Sequence, residues 1–304
     1  MIKPTIDIID IHKSFGSNKI LSGISLAINA GSVYGLVGLN GAGKTTFLRL
    51  LMGLLKPDQG SIEIAGQNPW AHSESFYSDL GVVLENDGFW GNLSIKENLK
   101  IFASAKKVLW KDALDYINQF WGDTVITLSD KKIKYLSRGQ RMQCALCRAF
   151  LGWPKVLFLD EPAIALDMTA YEHFKKIVIQ AKRHGATMII SSHQLDTIDD
   201  LCDRVGNLSS GLVNELETQA ASGIYKWLLR ADCKAEWKNV FLENCCIVPD
   251  WKDGWWSFNI DTPEEKIPVI IRKLIEAGCQ IYEIKQDTTG FGDTIRSIYR
   301  AIGT

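Results

Sequence analysis

Apolar and polar residues follow two different patterns along this chain. Up to about residue 217, short apolar runs alternate with amphipathic segments of helical period. Runs that are apolar on both faces are typical of parallel strands covered by helices on either side. They predict strands at 33–37, 80–85, 155–160 and 187–193. The helical period predicts helices at 47–55, 95–105, 137–151, 169–184 and 195–202, with mostly helical character at 106–135. Residues 5–35 mostly alternate and turn, which predicts an antiparallel β-layer.

The pattern changes after about residue 218. Strands are predicted at 225–231, 245–249, 254–260 and 280–286, and helices at 234–243, 264–277 and 291–302. The order βαββαβ predicts a small α+β domain of the ferredoxin-like, split βαβ type. The sequence therefore predicts two domains, residues 1–217 and residues 218–304. Five of the ten tryptophans lie in the second domain, where bulk for a small core is favoured over an aromatic ligand platform.

A glycine-rich loop follows the predicted strand at 33–37. It fits the phosphate-binding pattern G-x-x-x-x-G-K-[ST], and its strand–loop–helix context is the one that this pattern requires. Glycines let backbone N–H groups close around a polyphosphate, and the start of the helix adds partial positive charge. Lys44 is expected to reach the β- and γ-phosphates, and Thr45 to hold Mg²⁺. The candidate nucleotide-binding residues are Gly38, Asn40, Gly41, Ala42, Gly43, Lys44, Thr45 and Thr46.

Polar residues stand at the carboxyl ends of the other predicted buried strands. Asp160 and Glu161 end one of them, Glu85 ends another, and His193 ends a third. Ligands bind at this edge of α/β sheets, and an acidic pair beyond a buried strand is costly unless it has a function. These residues are therefore candidates for metal binding and catalysis.

Two further positions have both a structural and a functional interpretation. Ser137 begins the helix at 137–151, and helix capping is sufficient to explain it. Phe15 follows the first β-strand, where an aromatic ring is more often a core residue than a platform for a base.

Composition narrows the class of protein. The chain has 304 residues, 46% hydrophobic and 23% charged, with a net charge of −1. A near-neutral chain has no basic excess for binding nucleic acid, so no nucleic-acid partner is expected. Apolar runs are too short to span a bilayer, and the first residues lack a signal-peptide core, which predicts a cytoplasmic protein. The seven cysteines, including Cys144 and Cys147, are predicted to be buried thiols rather than a metal or redox site.

Together, the motifs resemble those of the ATP-binding subunit of an ABC transporter, over about residues 4–215. The resemblance implies a P-loop NTPase of ABC type, with a mixed sheet core, an antiparallel β-layer and a helical signature subdomain. In that pattern the Walker A loop is Gly38–Thr46, and the Walker B strand with its following glutamate ends at Asp160 and Glu161. The remaining matches are the signature Leu136–Gln140, the D-loop at 165–167, the switch His193 and the A-loop Phe15.

The resemblance also implies roles for these residues. ATP is the nucleotide, Thr45 and Asp160 hold Mg²⁺, Glu161 is the general base, and His193 steadies it. A second copy of the chain docks head to tail, so that Ser137, Gly139 and Gln140 cap the nucleotide bound by the partner. The chain departs from the pattern at three places. Glu85 replaces the usual Q-loop glutamine, in a catalytic and metal-binding position; Arg138 replaces a signature glycine; and residues 163–165 lack the usual polar run.

Subunits of this kind work with a separately encoded integral membrane permease. The chain is most similar to the ABC-2-type, drug- and peptide-export group, which places it at the inner face of the cell membrane. Residues 86–93, with Phe89 and Trp90, are expected to contact the permease. The alternative is a soluble ABC ATPase acting in translation or DNA repair, but those usually have two motif sets, a coiled coil or a basic surface. The second domain is expected either to brace the dimer or to sense a ligand.

Overall fold

The computed structural model describes residues 4–71, 73–84, 87–121, 125–193, 195–216, 225–232, 240–241, 249–252, 254–260 and 263–286. The chain divides into two compact units, Met1–Leu216 and Glu217–Thr304. In the described residues, the first unit has two sheets and the second has one, and each unit has its own buried core.

A six-stranded sheet forms the centre of the first unit. Its strand order is β5-β6-β7-β3-β8-β9, and every pair is parallel except the β8–β9 hairpin. The strands are β3 (Val33–Val37), β5 (Leu80–Val83), β6 (Val156–Asp160), β7 (Thr187–Ser191), β8 (Arg204–Ser209) and β9 (Leu212–Leu216). Strands β3, β6 and β7 are buried throughout, as their apolar runs predict. Strand β5 ends at Val83 and β7 at Ser191, two residues earlier than the predicted 85 and 193.

A second, antiparallel sheet confirms the predicted β-layer for residues 6–28. Its order is β2-β1-β4, with strands β1 (Ile6–Phe15), β2 (Asn18–Ile28) and β4 (Gln59–Ile64). The turn between β1 and β2 uses Gly16 at φ 59°. Phe47 and Leu51 of the helix after β3 belong to one buried cluster with side chains of both sheets. This helix therefore fixes the loop at its N-terminus against the core.

The described part of the first unit also contains α-helices. They are α1 (Lys44–Leu51), α2 (Glu74–Ser78), α3 (Ile95–Ala105), α4 (Trp110–Trp121), α5 (Arg138–Phe150), α6 (Met168–Arg183) and α7 (Leu195–Leu201). Two of them begin with a capping box, α3 at Ser94 with Glu97 and α5 at Ser137 with Gln140. Among the helices that the structure describes, none has both the length and the apolar character needed to cross a bilayer.

Cys144 and Cys147 lie on the buried face of α5. Burial raises the pKa of both thiols, that of Cys144 to about 12, so they remain protonated near neutral pH. This is the behaviour of core residues, in line with the interpretation made from the sequence.

The second unit contains an antiparallel sheet of order β11-β12-β10-β13. The elements are β10 (Tyr225–Asp232), β11 (Asp250–Lys252), β12 (Trp255–Ile260), α8 (Pro263–Glu276) and β13 (Gln280–Gln286). This strand order, with the first and third strands in the middle, is that of the predicted split βαβ arrangement. Helix α8 continues through Pro268. The predicted strand 245–249 and helices 234–243 and 291–302 lie almost wholly outside the described residues.

The tryptophans of this unit do not share one role. Trp227 and Trp256 pack against its core, as the interpretation in terms of bulk predicts. Trp251 is 55% exposed, and the ring of Trp255 lies beside the cations of Arg230 and Lys285. Trp237 lies outside the described residues.

Candidate active site

The phosphate-binding loop has the backbone geometry that its glycines predict. Gly41 and Gly43 have φ of 83° and 105°, a region that favours glycine. A Cβ on Gly43 would lie 2.9 Å from Ile20 Cγ2, and one on Gly38 would lie 2.5 Å from the Leu208 carbonyl oxygen. The first backbone N–H groups of α1 have no acceptor within the helix, so they are available to an anion at this end.

Lys44 is a largely buried cation within this loop. Its Nζ donates to the carbonyl oxygens of Gly38 (2.7 Å) and Leu39 (3.4 Å), and lies 3.9 Å from Glu161 Oε1. Burial lowers the pKa of Lys44, while the charges of Glu161 and Asp160 partly oppose that shift. A desolvated ammonium group of this kind favours an anionic ligand at the loop.

Asp160 is held from two sides. Thr45 Oγ1 donates to Asp160 Oδ2 at 2.8 Å, and Ser191 Oγ donates to Asp160 Oδ1. A threonine hydroxyl beside a carboxylate offers the hard oxygen ligands that Mg²⁺ prefers, so these residues fit that ion. Ser191 is not among the site residues predicted from the sequence, although its hydroxyl at the carboxyl end of a predicted buried strand could have indicated it.

Glu161 and His193 form a hydrogen-bonded pair. Glu161 has φ 51°, and its backbone N–H donates to the Ser191 carbonyl oxygen at 3.1 Å. Its Oε2 lies 2.8 Å from His193 Nδ1. The carboxylate is therefore oriented by an imidazole and remains accessible, which is the arrangement of a general base.

Lys44, Thr45, Asp160 and Glu161 line a cavity of about 690 Å³, which is large enough for a nucleotide, whereas His193 and Ser191 are not among its lining residues. Of the predicted residues, those that line it are Asn40, Gly41, Gly43, Lys44, Thr45, Thr46, Asp160 and Glu161. Leu136 and Arg138 also line it, from the start of α5. Phe15 is not on the cavity wall. Its ring is 52% exposed at the β1–β2 turn, with Lys13 Nζ 5.6 Å from the ring centre.

The residues of the signature segment have distinct structural roles. Ser137 is exposed, and its hydroxyl accepts from the Gln140 N–H while Gln140 Oε1 accepts from the Ser137 N–H. The side-chain oxygen of Gln140 is therefore engaged in the helix cap. A Cβ on Gly139 would lie 2.7 Å from the Ala165 carbonyl oxygen, so glycine allows the D-loop to approach α5. Glu85 lies outside the described residues.

Charged residues that belong to none of the sequence motifs connect the segment after β5 to α5. Arg141 Nε lies 2.7 Å from Asp87 Oδ2, and both residues line the cavity. Arg148 donates to the carbonyl oxygens of Asp87 and Val82. The segment predicted to contact a permease is thus connected to the helix that begins at the signature. Sequence reasoning missed Asp87 and Arg141.

Asn98 fixes Trp90 within that segment. It is fully buried, accepts from the Trp90 N–H at 2.9 Å, and donates to the carbonyl oxygens of Trp90 (3.1 Å) and Ser94 (2.9 Å). One side chain therefore holds both backbone groups of Trp90, while its ring remains 51% exposed.

Replacing Asn98 by leucine is expected to destabilise the protein by about 2–3 kcal/mol, because it leaves backbone groups of Trp90 unpaired. Urea unfolding of the full chain measures the change. Asn118→Leu, at an exposed position of α4, is the matched control and is expected to have little effect. A loss below about 0.5 kcal/mol for Asn98→Leu would contradict this role.

The chain is similar to known proteins of one family. A model of the ABC transporter family matches residues 21–164. The bacitracin transport ATP-binding protein BcrA of Bacillus licheniformis is 35% identical over 207 residues, covering 68% of this chain and 67% of that protein. The Nod factor export ATP-binding protein I of Burkholderia lata is 32% identical over 213 residues, covering 68% of each. The uncharacterized ABC transporter ATP-binding protein YdbJ of Bacillus subtilis is 29% identical over 309 residues, covering 96% of this chain and 94% of that protein.

Solved structures share the fold. The ATP-binding subunit of an ABC transporter superposes with a TM-score of 0.67 at 23% identity, covering 71% of this chain and 90% of that one. A nucleotide-free ATP-binding cassette gives 0.61 at 22% identity, covering 72% and 93%. The predicted α/β fold of P-loop, ABC type is therefore confirmed. This chain belongs to the ATP-binding subunits of ABC transporters.

Proposed function

We propose that this ATPase works as a head-to-tail homodimer with Mg²⁺ and powers export through a separate membrane permease. The observation that carries the proposal is the convergence of one lysine and two hydrogen-bonded pairs at one edge of the sheet. Lys44, the Thr45–Asp160 pair and the Glu161–His193 pair meet at the carboxyl edge of the parallel sheet. This is the set of groups that phosphoryl transfer to water requires.

Each group has a role in hydrolysis. The loop N–H groups and Lys44 bind the phosphate oxygens of ATP. Thr45 and Asp160 hold Mg²⁺, which supplies neutralisation of phosphate charge when it is bound. Glu161 takes the proton of the attacking water, and His193, 2.8 Å from it, keeps the carboxylate in position. Phe15 is proposed to contact the base of the bound nucleotide. Glu85 is proposed to act near the attacking water.

The dimer is supported by the start of α5. Ser137 and Arg138 are exposed at a helix N-terminus, where the helix dipole favours an anion. We assign this end, with Gly139, to the γ-phosphate bound by the partner subunit, which gives two composite sites in a twofold assembly.

The permease and the direction of transport rest on the relatives. Two of them are named for bacitracin transport and for Nod factor export, which favours export by this chain as well. Phe89 and Trp90 offer aromatic anchors to a permease, which would hold the subunit at the cytoplasmic face of the membrane. The unit from residue 217 is proposed to brace the dimer.

Replacing Arg138 by glutamate, in a Glu161→Gln background that retains ATP, is expected to prevent ATP-dependent dimerisation. The new carboxylate would face the partner's γ-phosphate, and the two negative charges would repel each other. Analytical ultracentrifugation with and without Mg-ATP measures dimerisation, and calorimetry measures ATP affinity, which should stay within about twofold. Arg183→Glu, an exposed position at the end of α6, is the control with the same charge change.

Two results would contradict the composite site. If the Arg138→Glu chain still dimerised with ATP, the start of α5 would not face a partner's nucleotide. If it lost ATP affinity as a monomer, Arg138 would act on the nucleotide of its own chain, whose cavity it also lines.

A further inference from the structure

A group of exposed lysines lies where the start of α3 meets the segment that precedes α5. These two segments, residues 91–101 and 129–135, are joined by backbone hydrogen bonds. The N–H of Lys96, for example, donates to the carbonyl oxygen of Ser129 at 2.9 Å. Five exposed lysines belong to the two segments, and we call them the lysine patch: Lys96, Lys100, Lys131, Lys132 and Lys134.

The lysine patch concentrates positive charge in a chain that is nearly neutral. The same segments contain two acids, Glu97 and Asp130, so their net charge is +3, whereas the net charge of the whole chain is −1. The carboxylate of Glu97 accepts from the Ser94 N–H at 2.7 Å, and this bond, more than the charges of Lys132 and Lys100, lowers the pKa of Glu97. Among the described residues, none of the five lysines forms an ion pair. The patch therefore presents uncompensated charge to a partner.

Two exposed aromatic residues accompany the lysine patch. Tyr135 is 63% exposed, and Lys134 Nζ lies 5.2 Å from the centre of its ring. Trp90, which immediately precedes one of the two segments, is 51% exposed. Tryptophan and tyrosine are enriched at the level of lipid head groups, because each combines an apolar ring with a polar tip. Lysines next to such rings form a surface that suits an anionic bilayer.

The lysine patch adjoins residues 86–93, the segment assigned above to the permease. Lys134 binds that segment twice: its N–H donates to the Gly91 carbonyl oxygen at 3.0 Å, and its Nζ donates to Asn92 Oδ1 at 3.1 Å. A subunit held at the membrane through residues 86–93 would therefore bring the neighbouring lysines toward the lipid head groups.

We propose that the lysine patch binds anionic phospholipid head groups of the cytoplasmic leaflet beside the permease. This inference rests on the proposed function, which places the neighbouring segment at the membrane, and it adds lipid as a second partner. A bilayer is selected because its mobile anionic lipids can gather around lysines that no ion pair holds in place. Each lysine near such a surface then adds its own contribution to binding.

The test uses the full chain without a permease and measures its co-sedimentation with lipid vesicles. Phosphatidylcholine vesicles with about 30 mol% phosphatidylglycerol should bind the chain about tenfold more strongly than vesicles of phosphatidylcholine alone, at about 0.05 M salt. Raising the salt to about 0.5 M should remove most of this preference, because the Debye length falls to about 4 Å.

Two double variants locate the binding surface. Lys96→Gln with Lys132→Gln should weaken binding to the anionic vesicles about tenfold to thirtyfold, since each lysine contributes about fivefold near an anionic surface. Lys56→Gln with Lys176→Gln removes the same charge from two exposed lysines outside the patch and should have little effect. Both variants should keep the ATP affinity of the parent chain, because none of these four lysines lines the active-site cavity.

Several outcomes would overturn the inference. Equal binding to the two kinds of vesicle would do so, and so would an equal loss in both double variants, which would show a general effect of charge. Salt-sensitive binding of a labelled single-stranded RNA that Lys96→Gln with Lys132→Gln abolishes, without any preference for anionic vesicles, would assign the patch to nucleic acid instead. The proposed function fails separately, if the chain does not bind ATP and dimerise; this inference fails if it does both and the vesicles are not distinguished.

Discussion

Replacing Glu161 by glutamine is expected to lower ATP turnover by about a hundredfold to ten-thousandfold while ATP remains bound. The amide has the same shape as the carboxylate, so it can still accept from His193 and fill the same space beside β7. It cannot take a proton from water near neutral pH. The substitution therefore removes basicity and little else, and it stops the reaction at the step where water is activated.

ATP affinity is expected to be retained or to rise in this variant. Glu161 Oε1 lies 3.9 Å from Lys44 Nζ, so the carboxylate both competes for the lysine and repels the γ-phosphate. Removing its charge removes both effects and should also favour the ATP-bound dimer. Phosphate release measured in single turnover gives the rate, and calorimetry with Mg-ATP gives the affinity.

The matched control for this prediction is Glu172→Gln. Glu172 is half exposed on α6, and its neighbour is Lys175 at 3.6 Å, so the same chemical change should leave turnover unaltered. Turnover of Glu161→Gln within about tenfold of the parent protein would exclude Glu161 as the base, since general-base catalysis contributes more than that.

The clustering of the candidate site residues could be predicted because three motifs follow three neighbouring strands. Strand β7 pairs with β3 on one side and with β6 on the other, all parallel. Their carboxyl ends therefore meet at one edge, which brings together the loop after β3, the acids ending β6 and the residue after β7. The order of motifs along the sequence is enough to predict that they lie close together, because a parallel sheet fixes which ends of its strands are adjacent.

The contacts between α5 and the segment after β5 could not be predicted in the same way. Asp87 meets Arg141 and Arg148, residues far along the chain on a helix whose own pattern explains only its buried face. Charged residues on such a helix are usually solvated, and their pairing depends on how the helix is rotated against the sheet. That rotation is set by packing of the apolar face, which the spacing of charges does not encode.

The second unit shows a related limit. Trp255 and Trp256 are adjacent in β12, so they point to opposite faces of the sheet: Trp256 packs on the core and Trp255 beside Arg230 and Lys285. The number of tryptophans in the second unit predicts that it has an aromatic-rich core. The register of β12 against β10 decides which ring is in it.

Lys44 is the residue whose removal should most reduce nucleotide binding, for two reasons that act together. Its ammonium group is desolvated and donates to the carbonyl oxygens of the loop, so its interaction with phosphate oxygens is only weakly screened. Without it, the carboxylates of Asp160 and Glu161 remain next to the phosphate position and repel the triphosphate. The lost attraction and the remaining repulsion both weaken binding.

Lys44→Ala is therefore expected to raise the dissociation constant for ATP by about a hundredfold, which corresponds to about 2.7 kcal/mol. Calorimetry measures the affinity, and Lys56→Ala, an exposed lysine in the turn after α1, is the control of equal charge. The melting temperature should not fall, because burial of Lys44 already disfavours its charged form in the folded protein. This distinguishes a lost ligand contact from a damaged loop: unchanged ATP affinity would refute the role of Lys44, and a lower melting temperature with weak binding would show that the lysine supports the loop instead.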